Sequence, residues 1–312
     1  MKTILATTST FAEESPDLVD RITRAGFRLI RNPFGRKLTQ TEVTGLLAEH
    51  HPSGLLAGLE PLGAEVLQPA AAQLRVISRI GVGWDNVDRE AAARLGITVF
   101  RTPDAVTPAV VELTVAFFLA LARHLSHHDR LLRQGKWQRR MGFQIRGKRL
   151  GLVGCGRIGK GVAKAMQALG ASVMAFDPWV DAETMKSIGI TPVENIEALI
   201  AASDLLSLHA SSGSEKGPIL TADRLRLALP HLLLVNTARG GLIDETALLQ
   251  ALVEKRIAGA GLDVFAEEPY TGPLRERDEV ILTPHIGSYS AEARRAMEEE
   301  AVDNLLTALT AA

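Results

Sequence analysis

The sequence predicts an α/β protein built on parallel sheets, and three observations support this. Its 312 residues are too many for one ordinary core and fit two domains. Short apolar runs alternate with helix-like stretches, which is the pattern of parallel strands covered on both faces. The segment Leu150–Gly159 places glycines between a strand-like run and a helix-like run, as in the first turn of a doubly wound sheet.

The apolar runs define the strand candidates in order. Before the glycines these are Thr3–Ala6, Phe27–Ile30, Leu55–Leu56, Val76–Ile77 and Ile97–Phe100. After the glycines they are Ala171–Phe176, Leu205–Leu208, Leu232–Val235, Ala260–Val264 and Val280–Leu282. The segment Glu245–Glu254 is predicted to be helical, and residues 291–311 to form a closing amphipathic helix.

The segment Ala109–Ala122 is almost wholly apolar and predicts a buried helix. Thr107 before Pro108 is typical of a helix start, with an N-cap oxygen ahead of a proline in the first turn. The run is too short to span a membrane, and Glu112 interrupts it. A helix that is apolar on most faces must be covered, between domains or between subunits.

Composition excludes several classes of protein. Hydrophobic residues make up 46% and charged residues 23%, as in soluble globular proteins. The net charge of −1 gives no overall attraction to nucleic acid or membranes. A single cysteine, Cys155, allows no internal disulfide, and the N-terminus turns polar too early for a signal peptide, so we expect a cytoplasmic protein. The histidines lack metal-site spacing, so no metal is expected.

A basic stretch, residues 123–149, connects the two halves and contains one acid, Asp129. Only Trp137 and Phe143 are available there to stack on bases, and the rest of the chain balances the charge. A solvated connector is therefore favoured over a nucleic-acid site. Its field would also attract an anionic substrate.

The glycine-rich segment predicts a dinucleotide site. Gly154, Gly156 and Gly159 have G-x-G-x-x-G spacing, which permits the tight turn, the approach of a pyrophosphate and close packing of helix on strand. Asp177 ends the next candidate strand, where a carboxylate accepts hydrogen bonds from a ribose 2′-hydroxyl. Because that acid would repel a 2′-phosphate and no arginine adjoins it, NAD is favoured over NADP.

Polar residues follow three candidate strands of the second half, at the ends where parallel sheets bind ligands. They are Arg239, Glu268 and His285. These residue types suit hydride transfer at a 2-hydroxy acid. An imidazole exchanges the hydroxyl proton near neutral pH, a carboxylate fixes the imidazole tautomer, and a guanidinium holds the substrate carboxylate and polarises the carbonyl. His209 ends another strand and is a candidate for lining the cofactor site.

Several motifs of the sequence resemble those of the D-isomer-specific 2-hydroxyacid dehydrogenases, in particular the phosphoglycerate dehydrogenase branch. They are Ile80–Asp88, Gly154–Gly159, Asn236–Gly241, Leu262–Phe265 with Glu268-Pro269, and Thr283–Ser288. The resemblance runs from about Gly54 to the C-terminus.

The resemblance implies a Rossmann-type NAD-binding domain, residues 101–285, inserted into a discontinuous flavodoxin-like α/β substrate domain, residues 1–100 plus 286–312. The active site would lie in the cleft between them. It also implies an NAD-dependent dehydrogenase acting on the CH–OH group of a small anionic substrate, and a homodimer formed through helix 107–122. The chain ends without the C-terminal regulatory extension of serine-feedback enzymes, so serine inhibition is not expected.

The resemblance assigns further site residues. It carries over the roles of Arg239, Glu268 and His285, and it places the backbone amides of Val82 and Gly83 on the substrate carboxylate. It also places Asp263 near the nicotinamide carboxamide. The remaining candidate cofactor contacts are Thr107, Arg157, Ile158, His209, Thr237 and Ala238.

Two departures from the family pattern bear on the substrate. Phosphoglycerate enzymes commonly have an arginine where this chain has Gly58, which removes one expected phosphate contact and leaves Arg79 and the basic stretch as candidate anion ligands. The family's Pro-Leu-Thr run after His209 is Ala210–Ser214 here. The leading substrate is 3-phosphoglycerate. Reduction of glyoxylate or hydroxypyruvate is the alternative, and a non-enzymatic, NAD-sensing scaffold like the corepressors of this fold is another.

Overall fold

Two parallel sheets organise the chain, one in each of two compact units. The computed structural model describes residues 1–13, 15–210 and 217–310. Unit 1 comprises Met1–Val106 and Ser288–Ala312, and unit 2 comprises Thr107–Gly287. The parallel α/β architecture is the one that the alternation of apolar runs and helices predicts.

Unit 1 is a five-stranded sheet in the order β2-β1-β3-β4-β5, with every pair parallel. Its strands are β1 (Lys2–Ala6), β2 (Phe27–Arg31), β3 (Gly54–Ala57), β4 (Val76–Arg79) and β5 (Thr98–Arg101). Its helices are α1 (Asp17–Arg24), α2 (Gln40–His50), α3 (Ala64–Ala70), α4 (Arg89–Arg94) and, at the other end of the chain, α12 (Ala291–Thr310).

The C-terminal helix α12 completes the core of unit 1 by packing directly on a central strand. Strands β3 and β4 are buried along their whole length because helices cover both faces of the sheet. A Cβ at Gly54 in β3 would lie 2.9 Å from Leu309 and 3.0 Å from Leu305 of α12. Glycine at this position therefore lets the closing helix approach the strand.

Unit 2 is a seven-stranded parallel sheet in the order β12-β11-β10-β9-β6-β7-β8. Its strands are β6 (Arg149–Val153), β7 (Ser172–Phe176), β8 (Ile190–Pro192), β9 (Leu205–Leu208), β10 (Leu233–Asn236), β11 (Gly259–Leu262) and β12 (Val280–Leu282). Its α-helices are α5 (Thr107–Ala122), α6 (Leu125–Arg133), α7 (Arg157–Ala168), α8 (Ala182–Ser187), α9 (Ile196–Ala202), α10 (Ala222–Leu225) and α11 (Glu245–Val253). Two 3₁₀ turns span Gly240–Leu242 and Pro273–Glu276.

The strand order of unit 2 places its switch point between β6 and β9. The chain runs from β6 to β7 and β8 on one side, then returns to β9 and continues outward to β12 on the other. Ligands of open parallel sheets bind at the carboxyl ends of the strands that flank such a reversal. Gly154 directly follows β6, and His209 directly follows β9.

Helix α5 packs one face on the unit 2 core, although its start differs from the prediction. Val110, Thr114, Phe117, Phe118 and Leu121 are buried, whereas Glu112 is exposed and Leu119 is 38% exposed. Thr107 is the first helical residue rather than the expected N-cap. Its Oγ1 makes no hydrogen bond within the described part of the chain, so the predicted capping contact is absent.

Across residues 1–13, 15–210 and 217–310, no single helix is long and apolar enough to cross a membrane. Helices α5 and α6 meet the length and composition criteria only as a pair, and the pair is bent by 63°.

Candidate active site

The glycine turn after β6 is built so that two of its glycines are sterically required. Gly154 has φ +97°, and a Cβ there would lie 2.7 Å from the backbone of His209. A Cβ at Gly159 would lie 2.4 Å from the carbonyl oxygen of Gly154. The turn therefore folds tightly against both the start of α7 and the end of β9.

The third glycine of the turn borders open space. A Cβ at Gly156 would meet no atom within 4 Å, and Arg157 and Ile158 begin α7 immediately afterwards. The first backbone N–H groups of a helix have no partner within the helix and attract anions. The space beside Gly156 thus fits a pyrophosphate at the N-terminus of α7.

Asp177, directly after β7, lies beside this turn. Its Oδ2 accepts the N–H of Cys155 at 2.7 Å, and its Oδ1 accepts the N–H of Trp179 at 2.8 Å. A carboxylate has about four acceptor positions, so Asp177 retains capacity for ribose hydroxyls. The structure therefore brings Asp177 and the glycine turn together as the spacing predicts for a ribose contact.

Other predicted cofactor contacts fall into two groups. The Oγ1 of Thr107 is buried and has no hydrogen-bond partner among the described residues, so it is available to a bound group. Thr237 is engaged, because its Oγ1 lies 2.9 Å from Oγ1 of Thr114 in the core. The N–H of Ala238 likewise donates to Oδ1 of Asn236 at 3.0 Å, which fixes the loop after β10.

His209 lies at the end of β9 next to the glycine turn. Its Nε2 is 2.9 Å from Oγ of Ser207. Burial lowers the pKa of His209 to about 4, so the imidazole is neutral near neutral pH. Of the divergent run that follows it, residues 211–214 lie outside the described residues.

Glu268 and His285 form a direct pair. Oε2 of Glu268 lies 2.9 Å from Nδ1 of His285, and Oε1 accepts the N–H of Phe265 at 3.1 Å. The two side chains are 36% and 41% exposed, so the pair faces an accessible surface. Since Nδ1 faces the carboxylate, Nε2 is the ring nitrogen that remains for a substrate.

Asp263 holds the loop that carries His285. It is 1% exposed and accepts hydrogen bonds from Oγ1 of Thr283 and from the N–H groups of Ile286 and Gly287, at 2.5, 2.7 and 2.7 Å. Burial raises the pKa of Asp263, and these hydrogen bonds oppose the rise. The resemblance places Asp263 near the nicotinamide carboxamide, and the contacts within the protein show in addition that its carboxylate organises this loop.

Arg239 lies at the same edge of the sheet, in a loop whose next residue, Gly240, packs on Phe265. It follows β10, and its Nη1 donates to the carbonyl oxygen of Ala238 at 2.7 Å. A Cβ at the next residue, Gly240, would lie 1.8 Å from the carbonyl carbon of Phe265. The loop that carries Arg239 therefore packs directly on the backbone of Phe265, whose N–H donates to Glu268. The sequence predicts neither the contact of Gly240 with Phe265 nor the orientation of the Glu268 carboxylate.

Three of the predicted substrate contacts, Arg79, Val82 and Gly83, belong to unit 1, and the fourth, Arg239, belongs to unit 2. Val82 and Gly83 follow β4, and no hydrogen bond in the described part of the chain uses their backbone N–H groups. Nη1 of Arg79 donates to the carbonyl oxygen of Ile80, and Arg79 is 8% exposed. The amides thus remain available to an anion, while the Arg79 side chain is buried within its unit.

Sequence reasoning missed an aromatic residue that stabilises this amide loop. Two arginines contact the ring of Trp84, with Cζ of Arg89 at 4.4 Å and Cζ of Arg101 at 4.2 Å from its centroid. Nη1 of Arg101 also lies 3.5 Å from the carbonyl oxygen of Val82. Spacing along the chain gives no signal for this stack because Arg101 comes from a different strand.

A family comparison bears on this arrangement. The family model described as "D-isomer specific 2-hydroxyacid dehydrogenase, NAD binding domain" matches residues 115–287. The chain belongs to the D-isomer-specific 2-hydroxyacid dehydrogenase family. The matched range lies within unit 2 and contains the glycine turn, Asp177 and the Glu268–His285 pair.

Individual relatives of the family carry more than one activity name. The chain is 42% identical to a D-3-phosphoglycerate dehydrogenase of Methanocaldococcus jannaschii over 72% of this chain and 44% of that protein. It is 38% identical to a hydroxypyruvate reductase of Thermotoga maritima over 79% and 81% of the two chains. The crystal structure of the TT0316 protein from Thermus thermophilus superposes with a TM-score of 0.89 at 34% identity, covering 99% and 97%.

The chain spans less than half the length of the phosphoglycerate dehydrogenases that it matches. The cofactor of the matched domain is NAD. The residues present fit this cofactor, because the space beside Gly156 and the unpartnered Oγ1 of Thr107 accommodate a bound group. For the described residues, no group of three or more His, Cys, Asp or Glu side chains is arranged to hold a metal ion.

Proposed function

We propose that the chain is an NAD-dependent oxidoreductase that interconverts a D-2-hydroxy acid and its 2-oxo acid. The observation that carries the proposal is the 2.9 Å contact between Nδ1 of His285 and Oε2 of Glu268. This pair leaves Nε2 of His285 as a proton donor or acceptor at an exposed position. Members of the same family include named dehydrogenases and reductases of such acids.

His285 moves the proton in this proposal. During reduction of a 2-oxo acid, the carbonyl oxygen gains negative charge, and the imidazolium donates the Nε2 proton to it. During oxidation, neutral Nε2 accepts the hydroxyl proton. Glu268 stabilises the charged imidazole through Nδ1. With NAD or NADH bound, the hydride would pass to or from the nicotinamide.

Arg239 and the amides after β4 bind the substrate. The planar guanidinium of Arg239 holds the carboxylate and polarises the neighbouring carbonyl. The backbone N–H groups of Val82 and Gly83, which no described residue uses, bind a carboxylate oxygen. The substrate is therefore a small anion.

The activity is tested with the full chain, NADH and a panel of 2-oxo acids that contains 3-phosphohydroxypyruvate, hydroxypyruvate and glyoxylate. We expect NADH oxidation with at least one member. Where the product is chiral, we expect only the D-isomer. Tight NADH binding without turnover of any panel member would contradict the proposal and favour an NAD-sensing scaffold.

We also propose that two copies associate through α5 and the segment after it. Apolar side chains are exposed along this continuous part of the chain, which is typical of a covered interface. They are Leu119 (38%), Leu125 (55%), Leu132 (57%), Trp137 (84%) and Met141 (92%).

We place the protein in the cytoplasm. The buried free thiol of Cys155 suits this reducing compartment.

Sedimentation velocity tests the association. We expect a dimer for the unmodified chain and a monomer for the Leu132→Glu variant, because a charge at the interface is costly. The matched control is Ile188→Glu, at a site 41% exposed elsewhere in unit 2, which should leave the dimer intact. A monomeric unmodified chain would exclude this interface.

A further inference from the structure

We propose that Glu60 determines substrate specificity: held between the ends of β1 and β3, it excludes substrates that carry a phosphate and selects 2-oxo acids whose distal group is uncharged. This inference rests on the proposed function and narrows its substrate class. It reverses the order expected from the sequence, which placed 3-phosphoglycerate first.

Glu60 lies at the ligand-binding edge of the unit 1 sheet. In the order β2-β1-β3-β4-β5, β2 lies on one side of β1 and the later strands lie on the other, so the carboxyl ends of β1 and β3 flank the switch point. Thr7 directly follows β1 and Gly58 directly follows β3. Glu60 contacts both residues, so its buried carboxylate lies at this edge of the sheet.

The side chain of Glu60 is fixed by several hydrogen bonds. Oγ1 of Thr7 donates to Oε1 at 2.5 Å, and the N–H of Gly58 lies 3.0 Å from Oε1 and 3.1 Å from Oε2. The loop itself is held by Nδ2 of Asn86, which donates to the carbonyl oxygens of Gly58 and Glu60 at 3.2 and 2.7 Å. Two donors that a phosphate would otherwise use are therefore already engaged.

The charge balance at this edge also disfavours a phosphate. Glu60 is 1% exposed and Arg79 is 8% exposed. Burial raises the pKa of Glu60, and its hydrogen bonds with Thr7 and Gly58 and, to a smaller extent, the charge of Arg79 oppose that rise. A second anion at this edge would compete with Glu60 for the charge of Arg79.

Space at Gly58 leads to the same conclusion. A Cβ at Gly58 would lie 2.9 Å from Oε2 of Glu60 and 3.0 Å from Cγ2 of Thr8. A longer, cationic side chain at this position therefore requires Glu60 to move. The acid and the glycine form one arrangement, in which the loop after β3 presents no positive charge.

The position of the loop relates it to the substrate. Strands β3 and β4 are neighbours in the sheet, at a spacing of about 4.8 Å. A substrate carboxylate bound by the amides of Val82 and Gly83 after β4 would direct the other end of a three-carbon acid towards the loop after β3. A phosphate there would meet Glu60, whereas a hydroxyl or hydrogen would not be repelled.

The test compares kcat/KM for hydroxypyruvate, glyoxylate and 3-phosphohydroxypyruvate in the unmodified chain and in Glu60→Gln. The unmodified chain should prefer hydroxypyruvate over its phosphate ester by at least about tenfold. Glu60→Gln keeps the shape and removes the charge, so it should reduce that preference by at least about fivefold through a lower KM for the phosphate ester. The matched control Glu65→Gln, at an exposed acid nearby, should retain the original preference.

A second measurement needs no variant and covers the case in which Glu60→Gln fails to fold. D-Glycerate should inhibit the unmodified chain at lower concentration than 3-phosphoglycerate does. The inference would be overturned if the unmodified chain preferred the phosphorylated substrate or inhibitor. It would also be overturned if folded Glu60→Gln kept the same preference as the unmodified chain. Both results would leave the proposed function standing. Absence of turnover with these three acids and with every other member of the 2-oxo acid panel would instead contradict the proposed function, and the inference would fail with it.

Discussion

The buried carboxylate of Asp263 fixes the backbone on both sides of His285. It accepts the Thr283 hydroxyl before the histidine and the N–H groups of Ile286 and Gly287 after it. The N–H of His285 also donates to the carbonyl oxygen of Asp263 at 2.9 Å. Asp263 thus acts as a positioning residue for the imidazole of His285. The backbone of His285 has a φ of +55°, in the left-handed region, and these hydrogen bonds hold it there.

Replacement of Asp263 by asparagine should therefore lower kcat by about 10- to 100-fold, because a displaced imidazole transfers the proton less efficiently. The asparagine NH₂ group is a donor, so it would face one of the donor groups whose hydrogen bond the carboxylate accepts in the unmodified chain. NADH affinity, measured by fluorescence titration, should stay near that of the unmodified chain. If NADH affinity falls and kcat does not, Asp263 acts on the cofactor, as the resemblance implies. Asp223→Asn, at an exposed site, is the control.

The pair of Glu268 and His285 allows a test with an adjacent control. His285→Ala should lower kcat by about 100-fold or more, because the proton-transfer group is lost. Glu268→Gln should also lower kcat, since an amide does not stabilise the imidazolium as a carboxylate does. Glu267→Gln changes the neighbouring exposed acid and should leave kcat unchanged. These outcomes are checked by measuring kcat in steady-state assays and NADH affinity in a separate titration. Full turnover by His285→Ala would contradict the assignment of His285 as the proton-transfer residue.

The sequence predicted the strands and the residues at their ends because parallel strands are continuous apolar runs followed by polar loops. It did not predict how Arg239 and Glu268 come together, because Gly240 and Phe265 are distant in sequence and meet only in the folded sheet. The three-residue strand β8 also escaped prediction, since Ile190–Pro192 is too short to show periodicity. From the sequence, Glu60 is an acidic residue in a loop, where exposure to solvent is the usual expectation. Only the structure shows that it is buried.

The contact of Gly240 with Phe265 predicts a steric effect on catalysis. Gly240→Ala would place a methyl group 1.8 Å from the carbonyl carbon of Phe265, which forces the two loops apart. We expect a loss of stability of about 1–3 kcal/mol and a fall in kcat, because overpacking displaces backbone. Gly241→Ala is the control, since a Cβ there meets no atom within 4 Å. Thermal unfolding and kinetics that are equal for both variants would show that the close contact is not maintained.

The position of Asp177 beside the glycine turn predicts cofactor selectivity. Asp177→Ala should weaken NADH binding more than NADPH binding, because the carboxylate accepts from the ribose hydroxyl and repels a 2′-phosphate. It also removes the acceptor for the N–H of Cys155, so thermal unfolding must be measured alongside affinity. Equal weakening of both cofactors would mean that Asp177 supports the turn and not the ribose.

Burial of His209 makes stability depend on pH in a defined window. The pKa is about 4 in the folded chain and about 6.5 in the unfolded chain. As pH falls below about 6.5, the unfolded state binds a proton that the folded state does not, so stability falls until about pH 4 and then levels off. The loss from this residue reaches up to about 3 kcal/mol. His209→Gln retains a partner for Ser207 without titrating, so the difference in unfolding free energy between the two chains should change across this window and stay constant above pH 7. Parallel pH profiles, measured by urea unfolding without cofactor, would show that His209 takes up its proton equally in both states.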